Sequence, residues 1–210
     1  THRKFILDFR LRSPMTILYR YGSTYYINMT NRCPCRCVFC VRNNTDRLGD
    51  AECLWLDEEP SVEDVMGELR SVDLSGSREV VFCGYGEPTE RFDDVKEVAR
   101  RIKAEYGKPV RLDTNGLGSL INGRDIVPEM VGLFDSVSIS LNAPNPDEYL
   151  EVTRSRFGID SHDEVLRFIR ECRRLISGVT VSVVGGSISE ESEEECRRLA
   201  HEMNVAFRVR

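Results

Sequence analysis

Short runs rich in β-branched residues alternate along this chain with longer stretches whose apolar positions recur every three or four residues. The first kind reads as strand and the second as helix. Six strands are expected, at 24–29, 79–83, 109–113, 136–141, 179–184 and 205–209, and each gap between them holds a plausible helix. The clearest helices are 61–72, with Val62, Val65, Met66, Leu69 and Val72 on one face, and 91–106, with Phe92, Val95, Ala99, Ile102 and Tyr106. Residues 162–176 carry the stripe Val165, Phe168, Ile169, Cys172, Leu175 and Ile176, and residues 189–203 carry Cys196, Leu199, Ala200 and Met203. Ser61 before Asp64 and Ser161 before Glu164 have capping-box spacing, and Gly107, Gly178 and Asn204 mark helix ends. Repeated βα units with right-handed crossovers predict an α/β protein: a partial (β/α)6 barrel, its parallel sheet curved and its helices on the convex face.

A length of 210 residues without low-complexity segment or linker suits a single domain, 1–210. Hydrophobic content of 40% and charged content of 30% are those of a soluble globular protein, and no apolar run is long enough to cross a bilayer. The opening residues lack the apolar run of a secretory signal. Eight cysteines then point to metal binding and buried thiols in a reducing, cytoplasmic setting rather than to disulfides. A net charge of −6 gives no sign of a general polyanion binder. Locally, Arg3, Lys4, Arg10, Arg12 and Arg20 stand against Asp8 alone, so residues 1–20 read as a basic extension or edge strand, or more sharply as a phosphate-contacting arm.

The densest chemistry lies at C-P-C-R-C-V-F-C, where Cys33, Cys37 and Cys40 have C-x3-C-x2-C spacing. Three such thiolates can hold three irons of a four-iron, four-sulfur cluster and leave the fourth open to a small molecule. A structural zinc site is the alternative, but it normally pairs C-x2-C knuckles into four ligands, and no second pair follows. Cys35, Cys53, Cys83, Cys172 and Cys196 are scattered singly, the last two on apolar helix stripes as core residues. Cys35 inside the loop either ligates poorly or does nothing. Phe39 is placed to shield the site and to pack on a ring, or simply to anchor the loop.

In parallel βα architectures ligands bind at the carboxyl ends of the strands. Strand 79–83 ends in Gly84-Tyr85-Gly86-Glu87-Pro88. Its glycines permit positive φ and close approach to a ligand, and Glu87 offers a carboxylate to an ammonium group; a plain tight turn is the alternative. Strand 109–113 ends in Asp113-Thr114-Asn115-Gly116, and a loop and helix, not a hairpin strand, follow. On strand 136–141, Ser138, Ser140 and Asn142 share one face, with Ser140 and Asn142 the expected contacts. Val184, before Gly185-Gly186, suits backbone contact with a ring or a simple turn. Arg208 and Arg210 make one face of the last strand basic, for substrate recognition or to cap the sheet edge.

These segments together resemble the radical S-adenosylmethionine (SAM) superfamily. The G-Y-G-E-P turn resembles the element by which such enzymes bind the SAM amino group, in the form found in the RNA adenine C2-methylases. Y-I-N-M-T-N-R-C-P-C-R-C-V-F-C-V-R-N, V-V-F-C-G-Y-G-E-P-T, G-K-P-V-R-L-D-T-N-G-L-G, V-S-I-S-L-N-A-P-N and F-R-V-R are most similar to the small TatD-associated radical SAM proteins, over roughly residues 19–210. The resemblance implies an enzyme that cleaves SAM reductively at a 4Fe-4S cluster on Cys33, Cys37 and Cys40. The resulting 5'-deoxyadenosyl radical would take hydrogen from a substrate. It implies SAM contacts at Phe39, Gly84, Tyr85, Gly86, Glu87, Asn115, Ser140, Asn142 and Val184. It further implies an electron donor such as a flavodoxin or ferredoxin, and a small-molecule, nucleotide or RNA substrate. A functional link to a TatD-like hydrolase and no membrane association complete that expectation. A non-catalytic iron–sulfur or zinc module is the alternative, and it leaves G-Y-G-E-P unexplained.

Overall fold

The structure is a computed structural model that describes residues 16–43, 45, 48–51 and 53–210. Arg3, Lys4, Asp8, Arg10 and Arg12 of the basic N-terminal stretch lie outside the described residues. Seven strands form one sheet in sequential order: β1 Leu18–Tyr21, β2 Thr24–Ile27, β3 Val80–Phe82, β4 Val110–Thr114, β5 Ser136–Ser140, β6 Gly178–Val183 and β7 Ala206–Val209. From β2 to β7 all neighbours are parallel, which gives the six expected strands. The seventh, β1, runs antiparallel to β2 across a turn in which Gly22 has φ 62°. β1 begins within the stretch read as a basic extension or edge strand, but apolar alternation does not mark it, because only one of its four side chains, Tyr19, is buried. The sheet does not close: β1 and β7 stand at opposite ends of the strand order.

Helices fill the crossovers as the apolar stripes require. α1 Val62–Arg70 starts at a complete capping box between Ser61 and Asp64, and buries Val65, Met66 and Leu69. α2 Phe92–Tyr106 ends on Gly107 at φ 60°, a left-handed cap that spares any Cβ strain. α3 Gly118–Asn122 and α4 Val127–Met130 are short, then come α5 Pro146–Thr153, α6 Ser161–Leu175 and α7 Glu190–Glu202. Two expected end signals act differently. Ser161 is the first residue of α6 rather than its cap, and its hydroxyl bonds Gly158 O and Ser155 Oγ instead. Gly178 opens β6, with its would-be Cβ 2.8 Å from Ser136 Cβ, so it is a packing glycine between strands.

Alternation along the strands sorts the sheet into two faces. Val110, Leu112 and Thr114 of β4 are buried with Val137 and Ile139 of β5 and Val181 and Val183 of β6, beside Ile102, Val165, Phe168 and Ile169 of the helices. Each such side chain contributes about 1.5–3 kcal/mol by leaving water. The opposite face carries Arg111 and Asp113, then Ser136, Ser138 and Ser140, then Thr180 and Ser182, with Asp113 level with Ser138 and Ser140 level with Ser182. Apolar burial therefore holds the sheet to its helices, while the polar face remains for chemistry.

Candidate active site

The segment leaving β2 is locked before it reaches the cysteines. Asn28 is fully buried and its Nδ2 donates to Leu54 O at 2.7 Å. Asn31 exchanges bonds with the backbone of Leu56, donating at 2.7 Å and accepting at 3.1 Å. The Glu59 carboxylate accepts from Thr30 Oγ and from Arg32 Nε. Gly84 and Gly86 press against this segment. A Cβ on Gly84 would lie 2.1 Å from Asn28 Oδ1, and one on Gly86 would lie 2.2 Å from Thr30 O and 2.6 Å from Arg32 O. Neither glycine has positive φ. They are there for close approach of chain to chain rather than for an unusual backbone angle, which corrects that part of the sequence reading.

The cysteine loop is stitched to the end of α5. Arg36 N donates to Thr153 O and Val38 N to Val152 O, each at 2.9 Å, and Arg156 N returns a bond to Pro34 O at 2.9 Å. The last carbonyls of a helix otherwise lack partners; here the loop supplies them. Cys33, Cys37 and Cys40 are half-buried and Cys35 is buried. Cys35 lies between Cys33 and Cys37, where sharing its thiol proton lowers the pKa of both neighbours, and the two sulfurs together with burial raise that of Cys35. Burial moves Cys40 upward. Cys172 and Cys196 are wholly buried in the main core, as expected.

One cavity opens between the loop and the polar face of the sheet. Cys33, Cys37, Phe39, Gly86 and Glu87 line one side; Asn115, Ser140, Asn142 and Arg210 line the other. It also takes in Cys35, Cys83, Asp113, Thr114 and Ser138, which sequence reasoning left unassigned. The signal for Ser138 was there, since it shares the inward parity of Ser140; Asp113 comes level with Ser138 only through the register of β4 and β5. Cys40 lines a neighbouring cleft together with Cys37, and Tyr85, Gly84, Val184 and Arg208 are elsewhere. The Tyr85 ring packs with Tyr19, Ala51 and Leu54 in a small second cluster, edge-on to Trp55 at 5.1 Å, and its hydroxyl donates to Thr45 O. Val184 is half-buried and its carbonyl accepts from Ser187, while Arg208 is exposed.

Glu87 is 3% exposed, and its carboxylate already takes four hydrogen bonds: from Thr89 N and Oγ, Thr114 Oγ and Asn115 N. Burial pushes its carboxyl above the ordinary value against those donors. The side chain thus ties β3 to β4 and fixes Asn115, whose Nδ2 lies 3.9 Å from Cys33 Sγ. Asn142 is the reverse case. It is 3% exposed with φ 63°, and its Oδ1 has no partner in the protein. Asparagine tolerates the left-handed backbone, but a buried amide oxygen without a partner is costly, and this residue lines the cavity, where a ligand could pair with it. His162 Nε2 donates to Ala143 O at 3.1 Å and so braces that loop. Ser140 Oγ accepts from Arg210 at 3.0 Å.

Among the described residues no three His, Cys, Asp or Glu side chains are gathered around one point as a single metal ion demands. Three thiols spread over one loop instead fit separate irons of a cluster, with Cys35 buried between two of them and Cys83 on the wall of the same cavity. The orphaned Asn142 oxygen across the cavity fits a ligand bearing N–H donors.

The sequence model of the radical SAM superfamily matches residues 27–200. A probable GTP 3',8-cyclase of Thermococcus kodakarensis is 30% identical over 157 residues, which are 75% of this chain and 46% of that protein. A probable dual-specificity RNA methyltransferase RlmN of a Thermoanaerobacter species is 26% identical over 142 residues, 63% of this chain and 37% of that one. The chain thus spans less than half the length of these curated relatives. Among solved structures, a radical SAM methyltransferase from Sphaerobacter thermophilus superposes with TM-score 0.63 at 18% identity, over 91% of this chain and 57% of that one. Streptococcus suis SuiB bound to the precursor peptide SuiA superposes with TM-score 0.65 at 18% identity, over 90% and 39%. At that identity the superpositions speak to the fold alone.

Proposed function

The chain belongs to the radical SAM superfamily, and on that premise we propose that it is an enzyme that cleaves SAM reductively on one domain, residues 1–210, for use on a nucleotide- or RNA-related substrate. A 4Fe-4S cluster with SAM at its open iron supplies, when bound, the electron and the organic radical that removes hydrogen from the substrate. Cys33, Cys37 and Cys40 would hold the cluster. The observation that carries this reading is convergence: Cys33, Cys37, Asn115 and the residue of the unpaired Oδ1, Asn142, line one cavity at the carboxyl ends of the strands, with Cys40 on the same loop beside Cys37.

The remaining residues bind, orient and exclude water. Asn142 Oδ1 would accept from the SAM ammonium or a ring amine, and Ser140 with Arg210 would hold its anionic or hydroxyl groups. Phe39 covers the loop side of the cavity and keeps water from it. Glu87 acts through Asn115 and the turn it anchors. Gly84, Tyr85 and Gly86 would shape the turn that presents the backbone to SAM, and Val184 would meet the adenine from β6. Arg208 would meet substrate at the sheet edge.

Relatives named for GTP and for RNA support a nucleotide-type substrate. Within the superfamily we place the chain nearest the TatD-associated proteins, on the phrases around the three motifs, with a flavodoxin or ferredoxin as electron source and a TatD-like hydrolase as functional neighbour. No described helix is long and apolar enough to cross a membrane; a cytoplasmic setting is part of the proposal.

Anaerobic reconstitution tests the reading. Wild type should bind iron and sulfide and release 5'-deoxyadenosine from SAM under dithionite. Cys33→Ala, Cys37→Ala and Cys40→Ala should each lose the product, and Cys172→Ala should keep it. Zinc-loaded, iron-free protein would defeat the proposal. Mass spectrometry of tRNA and extracts from a deletion strain would then expose the missing product.

A further inference from the structure

The cysteine loop has an outer side as well as an inner one. Two clefts lie there, one lined by Arg36, Cys37, Cys40, Arg42, Trp55 and Arg154 among others, the second by Cys33, Pro34, Arg36, Arg154 and Arg156. They share Cys33 and Cys37 with the inner cavity, and the third cysteine, Cys40, lines only the first cleft, so the ligand loop is reached directly from this side. Four arginines therefore crowd over the three cysteines of a chain whose net charge is −6.

Local structure puts them there. The main-chain bonds between residues 34–38 and 152–156 bring Arg36 beside Arg154 and Arg156. Arg154 caps α5 at φ 49°, where glycine is the usual occupant and an arginine bears backbone strain. Arg36 and Arg154 are exposed, and among the described residues neither has an acidic partner. Arg156 meets Glu90 at 3.3 Å, and Arg42 is spent on the backbone carbonyls of Asn31 and Cys35. Trp55, which lines the first cleft with Arg36, Arg42 and Arg154, is 40% exposed, and Val38 and Val41 of the same cysteine segment are 48% and 41% exposed. Exposed apolar and aromatic side chains beside arginines have the composition of a protein–protein contact.

We infer that this outer face of the cysteine loop is the docking surface for an acidic, low-potential electron-carrier protein. The inference rests on the cluster reading above and adds the place of electron entry. Charge complementarity selects the partner class: an anionic carrier is drawn to this patch, while the rest of the acidic surface turns it away. Position selects it over nucleic acid, because a substrate must reach the inner cavity, whereas the outer clefts lead directly to Cys33, Cys37 and Cys40. One electron leaves the reduced carrier, which is oxidised, and reduces the cluster; no atom or proton crosses with it.

The test compares two reductants on the reconstituted full chain with SAM. Arg36→Glu/Arg154→Glu should cut 5'-deoxyadenosine formation driven by flavodoxin, its reductase and NADPH by about tenfold or more, with iron content and the dithionite-driven rate unchanged. Calorimetry should show wild-type affinity for flavodoxin falling with salt, and the double variant should bind weakly at every salt. Unchanged flavodoxin-driven turnover and binding in the variant would overturn the inference, as would wild type that responds to dithionite but not to flavodoxin. Loss of tRNA binding in the variant with electron delivery intact would reassign the face to nucleic acid. Should iron-replete wild type make no 5'-deoxyadenosine with dithionite, the enzymatic reading fails, while flavodoxin binding still decides for or against the surface.

Discussion

Two titratable positions show how much a residue's role depends on what already surrounds it. In the sequence Glu87 reads as a free carboxylate at a ligand turn; in the fold its four hydrogen bonds are all internal. Glu87→Ala would leave those donors buried and unpaired, so we expect a loss of about 3 kcal/mol or more, read as a shift in the urea midpoint at unchanged slope. His162 makes a prediction of opposite kind. Burial lowers its pKa below the ordinary 6.5, its Nδ1 has no partner, and the fold holds it neutral. The stability this gives is complete above 6.5 and declines as pH falls from there toward the folded value, because only the unfolded chain then gains the proton. His162→Gln should flatten that decline in thermal melts between pH 7 and 5; an unchanged slope would show that another group titrates.

At the scale of elements, α5 matters more than its eight residues suggest. Its far end receives two amides of the cysteine loop, so fraying of the helix frees the loop. Asn145 caps the near end by accepting from Glu148 N at 3.0 Å. Asn145→Ala should cost about 1 kcal/mol and speed hydrogen exchange at the amides of Arg36 and Val38, with amides of β5 unaffected. The sequence hid this helix because P-D-E-Y-L-E-V-T is too short for a 3.6-residue period to declare itself. Helices of fifteen residues, α2 and α6, declared themselves within a residue or two, and so did α7. Strands β3 to β6 were equally legible, since each is flanked by a helix and buried on at least one face, and β7 was placed by its alternation although only Phe207 is even half-buried. β1 was not, because an edge strand needs little apolar pattern.

For the whole molecule, topology did the work that motifs alone cannot. Cys33, Asn115 and Asn142 are spread over 110 positions of sequence, and sequential parallel strands bring their loops to one end of the sheet. The motifs were legible because each is a compact phrase. The cavity's deeper wall was not, because Asp113 and Cys83 join it only through the register of β3, β4 and β5. Nor does spacing reveal the arginine rim, which forms where two segments more than a hundred residues apart exchange backbone hydrogen bonds. The sheet stays open between β1 and β7, so reach to the polar face does not require a substrate small enough to enter a closed barrel.

The tight seating of Gly84 and Gly86 against residues 28–32 limits how this architecture can be recombined. Glu87 N also bonds Arg32 O at 2.8 Å, so the two stretches share one surface with no room for a methyl group between them. Transplanting a cysteine segment from another member of the superfamily therefore means moving residues 28–40 and 84–87 as a single cassette.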